Sequence, residues 1–214
     1  LGSHMRSGLE RIHGKKKILE IYNGVDIAQF KDIGLKREKT IIAIGSLKKE
    51  KGFDYLLKAF SLIMKEKKFS EYKLIIVGEG ELEKNLKDLA HELVIEQNII
   101  FVGQLAREKV ISYLQRSELF VLSSVSEGFP KVLLEGISSG CKIVSTDVGS
   151  IRTILGTKFS GIVPIKNDLS LSKAIKNVIE SDRDKNLDVI AKRFSWDQVK
   201  QRYQMLYDNE KLND

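Results

Sequence analysis

Short apolar runs alternate along this chain with segments in which apolar residues recur at helical spacing. Six runs are predicted to be β-strands, at residues 41–44, 73–77, 99–102, 119–122, 143–145 and 161–163. Each is short and almost continuously apolar, as strands covered on both faces must be. The alternation predicts βα units, and therefore an α/β fold with one parallel sheet and helices on both of its faces.

Helical spacing is clearest in two segments between the first three strands and in one near the end of the chain. The apolar positions of the first two segments are Phe53, Leu56, Leu57, Phe60, Ile63 and Met64, then Leu82, Leu86, Leu89, Ala90 and Leu93. In the third, Ser195 is predicted to cap a helix that runs to about residue 208. The apolar side of this helix is predicted to carry Trp196, Val199, Tyr203 and Leu206.

The pattern divides the chain into four predicted segments. Residues 1–5 are typical of a cloning scar, and residues 6–39 are interpreted as the end of a preceding domain and a linker. Residues 40–194 form the sheet domain, and residues 195–214 the C-terminal helix and tail. The second segment contains a predicted strand, a predicted turn and a polar linker, at residues 18–22, 23–26 and 31–39.

With 42% hydrophobic and 30% charged residues, the composition is that of an ordinary folded protein, and no apolar run approaches the roughly 20 residues of a membrane-spanning helix. The single cysteine, Cys141, is predicted to be a small buried residue before a strand, and one cysteine is typical of a reducing cytoplasmic compartment. The formal charge of +7 suits anionic partners such as phosphates. Nucleic acid is not a predicted partner, because no basic stripe is interleaved with aromatic residues.

Two glutamates eight positions apart, Glu127 and Glu135, are the strongest chemical signal in the sequence. Glu127 lies in the loop after a predicted strand, whereas Glu135 lies about one turn into a helix whose other residues are almost all apolar. A carboxylate on such a helix costs free energy unless a partner satisfies it, which favours a ligand contact. The alternative is a surface ion pair between Lys131 and Glu135, although lysine before glutamate is the weaker order for that pair.

The segment from Gly45 to Gly52 joins the end of a strand to the start of a helix through a basic loop. Backbone N–H groups and the positive end of the helix favour an anion there, and Lys51 adds a point charge, so a phosphate site is predicted. Taken alone, the same stretch is equally typical of a solvated lysine loop. Gly78-Glu79-Gly80 is weaker evidence of the same kind.

Together these residues resemble the large family of retaining glycosyltransferases that carry a Glu-x7-Glu signature on a GT-B fold. The resemblance extends from Asn23-Gly24-Val25-Asp26 to the final helix with Trp196. Its specific part is the block from Glu127 to Glu135, with its Glu-Gly-Phe-Pro and Leu-Leu-Glu context. It implies two Rossmann-like domains, of which the C-terminal one binds a nucleotide-sugar, and residues 40–194 are expected to be that domain.

The resemblance also implies roles for individual residues. Glu135 is expected to hold both ribose hydroxyls, Glu127 to contact the transferred sugar and Lys51 to neutralise the diphosphate. Backbone contacts from the segment that begins at Gly128 are expected at the phosphates and the sugar, and contacts from the end of the third strand are expected at the base. Glu127 and Lys51 are thus the predicted catalytic residues. The predicted nucleotide-binding residues are Glu135, Ser46, Gly45, Val102, Gly103, Gly128, Phe129, Lys131 and Val132.

One position departs from the family's pattern. The family commonly has arginine directly after the glycine that corresponds to Gly45, whereas this chain has Ser46, so a bidentate diphosphate contact is absent there. Lys48 or Lys49 is the expected substitute, and a lower affinity for diphosphate is the alternative.

No metal site or other cofactor is predicted. Asp182-Arg183-Asp184 matches the Asp-x-Asp pattern of metal-dependent sugar transferases, but it lies between two helical patterns rather than after a strand, so a surface loop is favoured. His13 and His91 lack partners that would indicate a triad or a metal site, and no chemistry is assigned to them.

The implied function is the binding of a nucleoside-diphosphate sugar, with a UDP-sugar favoured, for transfer to a glycan or lipid-linked acceptor. The acceptor is expected to bind the preceding domain, so this chain alone is expected to be inactive. A cytoplasmic location is expected, and peripheral association of the full-length protein with a membrane stays open. Two alternatives remain: a standalone nucleotide-sugar-binding module that acts only with a second chain, and a generic flavodoxin-like domain, which gives no reason for Glu135 in an apolar helix.

Overall fold

The computed structural model describes residues 22–210 of the chain. The predicted cloning scar, His13 and residues 18–21 of the first predicted strand lie outside the described residues. Tyr22 is described and is not in a strand. The four predicted segment boundaries stay a prediction.

Six parallel strands form one sheet in the order β3-β2-β1-β4-β5-β6. The strands are β1 Glu38–Ile44, β2 Lys73–Val77, β3 Ile99–Gly103, β4 Ser117–Leu122, β5 Lys142–Thr146 and β6 Ile162–Val163. The predicted strands and the Rossmann-like α/β fold class are confirmed, and the differences lie at strand ends. β1 begins at Glu38, inside the predicted linker, because Glu38 pairs with Ser117 of β4.

Within the described part of the chain, eight α-helices accompany the sheet. They are α1 Phe53–Met64, α2 Glu83–Glu92, α3 Arg107–Arg116, α4 Lys131–Ser138, α5 Ile151–Leu155, α6 Asp168–Glu180, α7 Asn186–Arg193 and α8 Trp196–Glu210. Their apolar residues form one core with each face of the sheet: α1, α2 and α6 on one side, and α3, α4, α5 and α7 on the other. None of the helices between residues 22 and 210 combines the length and the apolar character needed to span a bilayer.

Strand β1 shows why the strands are apolar throughout. Ile41 and Ala43 belong to the core that contains α1, whereas Ile42 belongs to the core that contains α4. Successive side chains of a strand point to opposite faces, and here both faces are covered. The period-two alternation of a one-sided sheet is therefore absent, as the sequence pattern predicted.

The last helix, α8, begins where the sequence predicts it. Ser195 Oγ accepts a hydrogen bond from the N–H of Gln198 at 3.4 Å, which is an N-cap contact. The predicted apolar side is only partly covered, because Val199 is buried but Trp196 is 54% exposed. The ring of Trp196 packs against Gly24, where an added Cβ would lie 2.6 Å from the ring carbon Cδ2.

Arg37 anchors the segment that was predicted to be a linker. Its Nη1 donates to the carbonyl oxygen of Gln115 and its Nη2 to that of Ser139, both at 2.7 Å, and Nη2 lies 2.7 Å from an Asp32 carboxylate oxygen. Gln115 lies in the last turn of α3 and Ser139 directly follows α4. Carbonyl groups at the C-terminal end of a helix lack intrahelical partners. The segment therefore packs against the sheet domain and ties α3 to the end of α4.

We expect Arg37→Met to lower the free energy of unfolding by about 2 kcal/mol or more, because a charged donor is lost from carbonyl groups that are partly buried. Urea denaturation followed by circular dichroism measures the change. Arg152→Met is the matched control: Arg152 pairs with Asp147 on the surface, and its loss should cost at most about 1 kcal/mol. Equal losses in the two variants would contradict the anchoring role.

Candidate functional site

The predicted site lies at the carboxyl edge of the sheet, between the loop after β1 and the loop after β4. Lys51, at the end of a short 3-10 helix, comes from the first loop, and Glu127 from the second. Lys51 Nζ lies 2.5 Å from Glu127 Oε1. The two predicted catalytic side chains thus form one ion pair, although 76 residues separate them in the chain.

Main-chain contacts hold these two loops together. The N–H of Val125 donates to the carbonyl oxygen of Glu50 at 2.8 Å, and Ser123 Oγ donates to the carbonyl oxygen of Lys51 at 2.9 Å. Gly52 has a φ of 60°, and an added Cβ would lie 2.3 Å from the carbonyl oxygen of Ser123. Residue 52 therefore requires glycine for two separate reasons, its backbone conformation and its close contact with the second loop.

Glu127 is held in place from two sides. Its Oε1 accepts a hydrogen bond from Ser124 Oγ at 2.8 Å in addition to the lysine contact, and its side chain is only 12% exposed. Ser124 is itself buried, so its hydroxyl has a fixed position. These two donors fix the orientation of the Glu127 carboxylate at the edge of the cleft.

Ser150, at the turn before α5, orients the backbone next to Glu127. The sequence analysis gave this residue no role in the site. Its N–H and its Oγ both donate to the carbonyl oxygen of Gly128, at 3.1 Å and 3.0 Å. Gly149 precedes it with a φ of 51°, and an added Cβ there would lie 2.3 Å from the carbonyl oxygen of Glu127. These contacts fix the orientation of the Gly128 peptide at the entrance to α4.

Glu135 lies half-buried on α4, between the buried residues Leu134 and Gly136. Burial raises the pKa of Glu135 above its ordinary value of 4.5, and the positive charges of Arg107 and Lys131 act in the opposite direction. Among residues 22–210, no side chain donates a hydrogen bond to its carboxylate, and the ion pair with Lys131 that the sequence left open is not formed. Glu135 is thus a partly desolvated carboxylate that faces the cleft without a hydrogen-bond or ion-pair partner in the described part of the chain.

A cleft of about 480 Å³ brings most of the predicted residues together. The predicted residues that line it are Gly45, Ser46, Lys51, Glu127, Phe129, Lys131, Val132 and Glu135. Gly128 lies between two of them, and an added Cβ there would meet no atom within 4 Å. The structure therefore groups nine of the eleven predicted site residues around one space.

Val102 and Gly103, which were expected to frame the base, do not line this cleft. They end β3, which is separated from β1 by β2.

The two lysines that were expected to substitute for an arginine at position 46 do not line this cleft either. Lys49 lines a separate hollow beside α1 and α2, and Lys48 lines neither the hollow nor the cleft. The side chains of the two lysines therefore lie away from the space that Ser46 borders.

The cleft also contains residues that the sequence analysis did not select. Phe30, from the segment before β1, and Arg107, the first residue of α3, both line it. The guanidinium carbon of Arg107 lies 4.9 Å from the centroid of the Phe30 ring, and its Nε donates to Gln29 Oε1 at 2.7 Å. The positive charge of Arg107 was the one property in the sequence that could have indicated a phosphate contact. A single arginine at the start of a helix forms no motif with a recognisable spacing.

The Asp-x-Asp segment has a structural role. Arg183 Nη2 donates to the carbonyl oxygen of Ile137, and Asp184 accepts a hydrogen bond from the N–H of Asn186 before α7. The segment is a loop between α6 and α7, as predicted. Within the described residues, no group of three histidine, cysteine, aspartate or glutamate side chains is placed to hold a metal ion.

The sequence profile of the family described as Glycosyl transferases group 1 matches residues 26–195. The chain belongs to this family. The matched range contains the whole sheet and both loops of the cleft. The resemblance on the Glu-x7-Glu block is therefore confirmed at the level of the family.

Relatives and solved structures agree with membership in Glycosyl transferases group 1. The N-acetylgalactosamine-N,N'-diacetylbacillosaminyl-diphospho-undecaprenol 4-alpha-N-acetylgalactosaminyltransferase of Campylobacter jejuni is 31% identical over 175 residues, which are 78% of this chain and 46% of the relative. This chain thus spans about half the length of that curated relative.

Two solved structures share the fold. The C-terminal domain of a group 1 family protein from Francisella tularensis superposes with a TM-score of 0.65 at 21% identity, over 84% of this chain and 98% of that one. An Anabaena protein, HepE, in complex with UDP and glucose superposes with a TM-score of 0.78 at 18% identity, over 97% of this chain and 62% of that one. This chain therefore has the fold of a C-terminal GT-B domain.

We expect Glu135→Gln to stabilise the ligand-free protein near pH 7. The folded state raises the pKa of this carboxyl, so the cost of its ionised form is absent below about pH 4.5 and develops as the pH rises through the folded pKa. The urea midpoint of the variant should exceed that of the wild type at pH 7, and the difference should shrink towards pH 4. Glu108→Gln, at an exposed position of α3, should give no such gain.

Proposed function

We propose that this chain is the nucleotide-sugar-binding half of a retaining glycosyltransferase and that the nucleoside diphosphate binds in the cleft between the loops after β1 and β4. The observation that carries the proposal is that Lys51, Glu127 and Glu135, from three separate segments, line one cleft at the start of α4. Ligands of open parallel sheets bind at this carboxyl edge. The 480 Å³ volume is in the range of small-molecule sites.

Glu135 is the proposed ribose contact. Two carboxylate oxygens can accept hydrogen bonds from two neighbouring hydroxyls, which a ribose offers at its 2′ and 3′ positions. Its carboxylate lines the cleft and has no hydrogen bond among residues 22–210, so both oxygens are open to a ligand. A ligand diol would compensate the desolvation that raises its pKa.

The diphosphate is proposed to bind near Lys51 and the start of α4. Within residues 22–210, the N–H groups of Gly128, Phe129, Lys131 and Val132 have no hydrogen-bond partner. Unpaired N–H groups at a helix N-terminus favour an anion, and Lys51 and Lys131 add positive charge on both sides. These fixed positive groups would stabilise the charge that develops on the departing nucleoside diphosphate, which is why we propose a transfer that needs no metal ion.

Glu127 is the proposed contact to the transferred sugar. It lies next to the N–H groups that would hold the phosphates, and Ser124 and Lys51 fix its carboxylate. The name of the Campylobacter relative supports a lipid-linked acceptor, and the UDP in the Anabaena complex supports a UDP-sugar. We propose that the acceptor binds residues outside this chain, so that this chain alone binds nucleotide and transfers no sugar.

Isothermal titration of the chain with UDP, GDP and ADP tests this function. We expect UDP to bind most tightly, and to bind equally well with and without EDTA, because protein cations neutralise the phosphates. Absence of binding to all three nucleotides would contradict the proposal. A loss of binding in EDTA would contradict metal independence alone.

Comparison of UDP with 2′-deoxy-UDP tests the role of Glu135. Glu135→Gln replaces one acceptor oxygen with a donor, so the side chain can no longer accept hydrogen bonds from both ribose hydroxyls. Loss of a hydrogen bond to a charged group costs about 1.5 to 3 kcal/mol, so UDP should bind roughly ten-fold more weakly or worse. The already weaker 2′-deoxy-UDP should change less, and the Glu108→Gln control should leave both affinities unchanged. A double comparison of this kind isolates the contact.

Equal weakening of both nucleotides by Glu135→Gln would assign the carboxylate to another part of the ligand. The urea midpoint of Glu135→Gln is the control for the fold: a midpoint at or above that of the wild type excludes unfolding as the cause of weaker binding.

A further inference from the structure

The positive charge of Lys51 alone cannot neutralise the negative charge of a bound diphosphate. Lys51 lies 2.5 Å from Glu127, so its charge is already largely neutralised within the protein. Of the described residues, Lys131 and Arg107 are the other cations that line the cleft, and Glu135 is the second carboxylate. A nucleoside diphosphate brings at least two negative charges, so its binding is favoured by cations besides Lys51 that lie within reach of the phosphates.

Arg107 has the position that this requires. Arg107 and Glu135 line the same cleft, so the guanidinium and the proposed ribose contact face one space. In agreement, the positive charge of Arg107 lowers the pKa of Glu135, with a larger effect than that of Lys131. In a nucleotide the phosphates are attached to the ribose, so a cation beside the ribose contact is within reach of them. The planar guanidinium fork matches two phosphate oxygens better than a lysine ammonium does.

The side chain of Arg107 is already oriented in the ligand-free protein. Its Nε donates to Gln29 Oε1 at 2.7 Å, and the guanidinium lies over the ring of Phe30 at 4.9 Å. Phe30 is almost fully buried, so the ring is a fixed support. Neither terminal amino group of Arg107 has a hydrogen-bond partner among residues 22–210. The fork is therefore open to a ligand, and the entropy cost of ordering the side chain is reduced before binding.

We propose that Arg107 binds the diphosphate of the sugar nucleotide through its two terminal amino groups, and that Gln29 and Phe30 position it. This assignment rests on the proposed function of the cleft. It also accounts for Ser46, which borders the same cleft and cannot supply a bidentate cation. The cation comes instead from the first residue of α3, which lines the same cleft.

Titration with UDP, UMP and uridine tests the assignment through the number of phosphates. Arg107→Gln should weaken UDP by about ten-fold or more, UMP less, and uridine by less than about two-fold. Arg107→Lys, which keeps the charge but loses the fork, should fall between wild type and Arg107→Gln for UDP. Arg116→Gln is the matched control, because it removes the same charge from the other end of α3, outside the cleft, and should leave all three affinities unchanged.

A second variant tests whether Arg107 supplies the diphosphate contact that an arginine at position 46 would make. In the Arg107→Gln background, Ser46→Arg should restore most of the UDP affinity while uridine binding stays as it was. Circular dichroism melts of each variant should match the wild type, because Arg107 is exposed at the first residue of its helix.

Three outcomes would overturn the assignment. Equal weakening of UDP, UMP and uridine by Arg107→Gln would place the contact at the nucleoside, and unchanged UDP affinity would remove Arg107 from the site. Failure of Ser46→Arg to restore the affinity would show that the two positions do not serve the same phosphates. Each of these leaves the proposed function intact if wild-type protein binds UDP, whereas absence of UDP binding by the wild type would overturn both.

Discussion

The cleft depends on the close approach of two backbone segments, the loop after β1 and the loop after β4. An added Cβ at Gly52 would lie 2.3 Å from the carbonyl oxygen of Ser123, so the two loops meet only because residue 52 has no side chain. The N–H of Val125 then reaches the carbonyl oxygen of Glu50 at 2.8 Å. These main-chain contacts bring Lys51 within ion-pair distance of Glu127. The electrostatics of the site therefore follow from a steric constraint on the backbone.

Apolar packing of α4 keeps the second carboxylate, that of Glu135, in a half-buried position, although a carboxylate is more stable in water. An added Cβ at Gly136 would lie 2.9 Å from the ring of Phe120, so α4 packs closely on β4. Leu133, Leu134 and Ile137 of α4 are fully buried in the core on this side of the sheet, and each such side chain contributes about 1.5 to 3 kcal/mol. This gain opposes the desolvation cost of the half-buried carboxylate on the same helix. The helix can thus present Glu135 to the cleft in a state that is unfavourable without a ligand, a common trade between stability and function.

The sequence allowed prediction of those features whose cause is local. The strands were predictable because burial of both faces leaves a continuous apolar run, and the Glu127 to Glu135 pair because both residues lie within one strand-loop-helix junction. Arg37 and Ser150 were not predictable, because their partners are distant carbonyl groups: Ser139 is 102 residues from Arg37, and Gly128 is 22 residues from Ser150. An arginine that donates to such carbonyls has the same sequence pattern as one that faces water, so the polar residues 31–39 resembled a linker.

The segment before β1 completes the cleft, and residues 194–196 contact the start of that segment. Phe30 and Gln29 position Arg107 on one wall of the cleft. A few residues earlier, the N–H of Val25 donates to the carbonyl oxygen of Phe194 at 2.9 Å, and the ring of Trp196 packs against Gly24. Residues on both sides of the predicted 40–194 domain therefore determine where the Arg107 guanidinium lies. The sheet supplies the edge at which the cleft lies, but the position of the cation proposed to bind the diphosphate is set by packing between the two flanking segments.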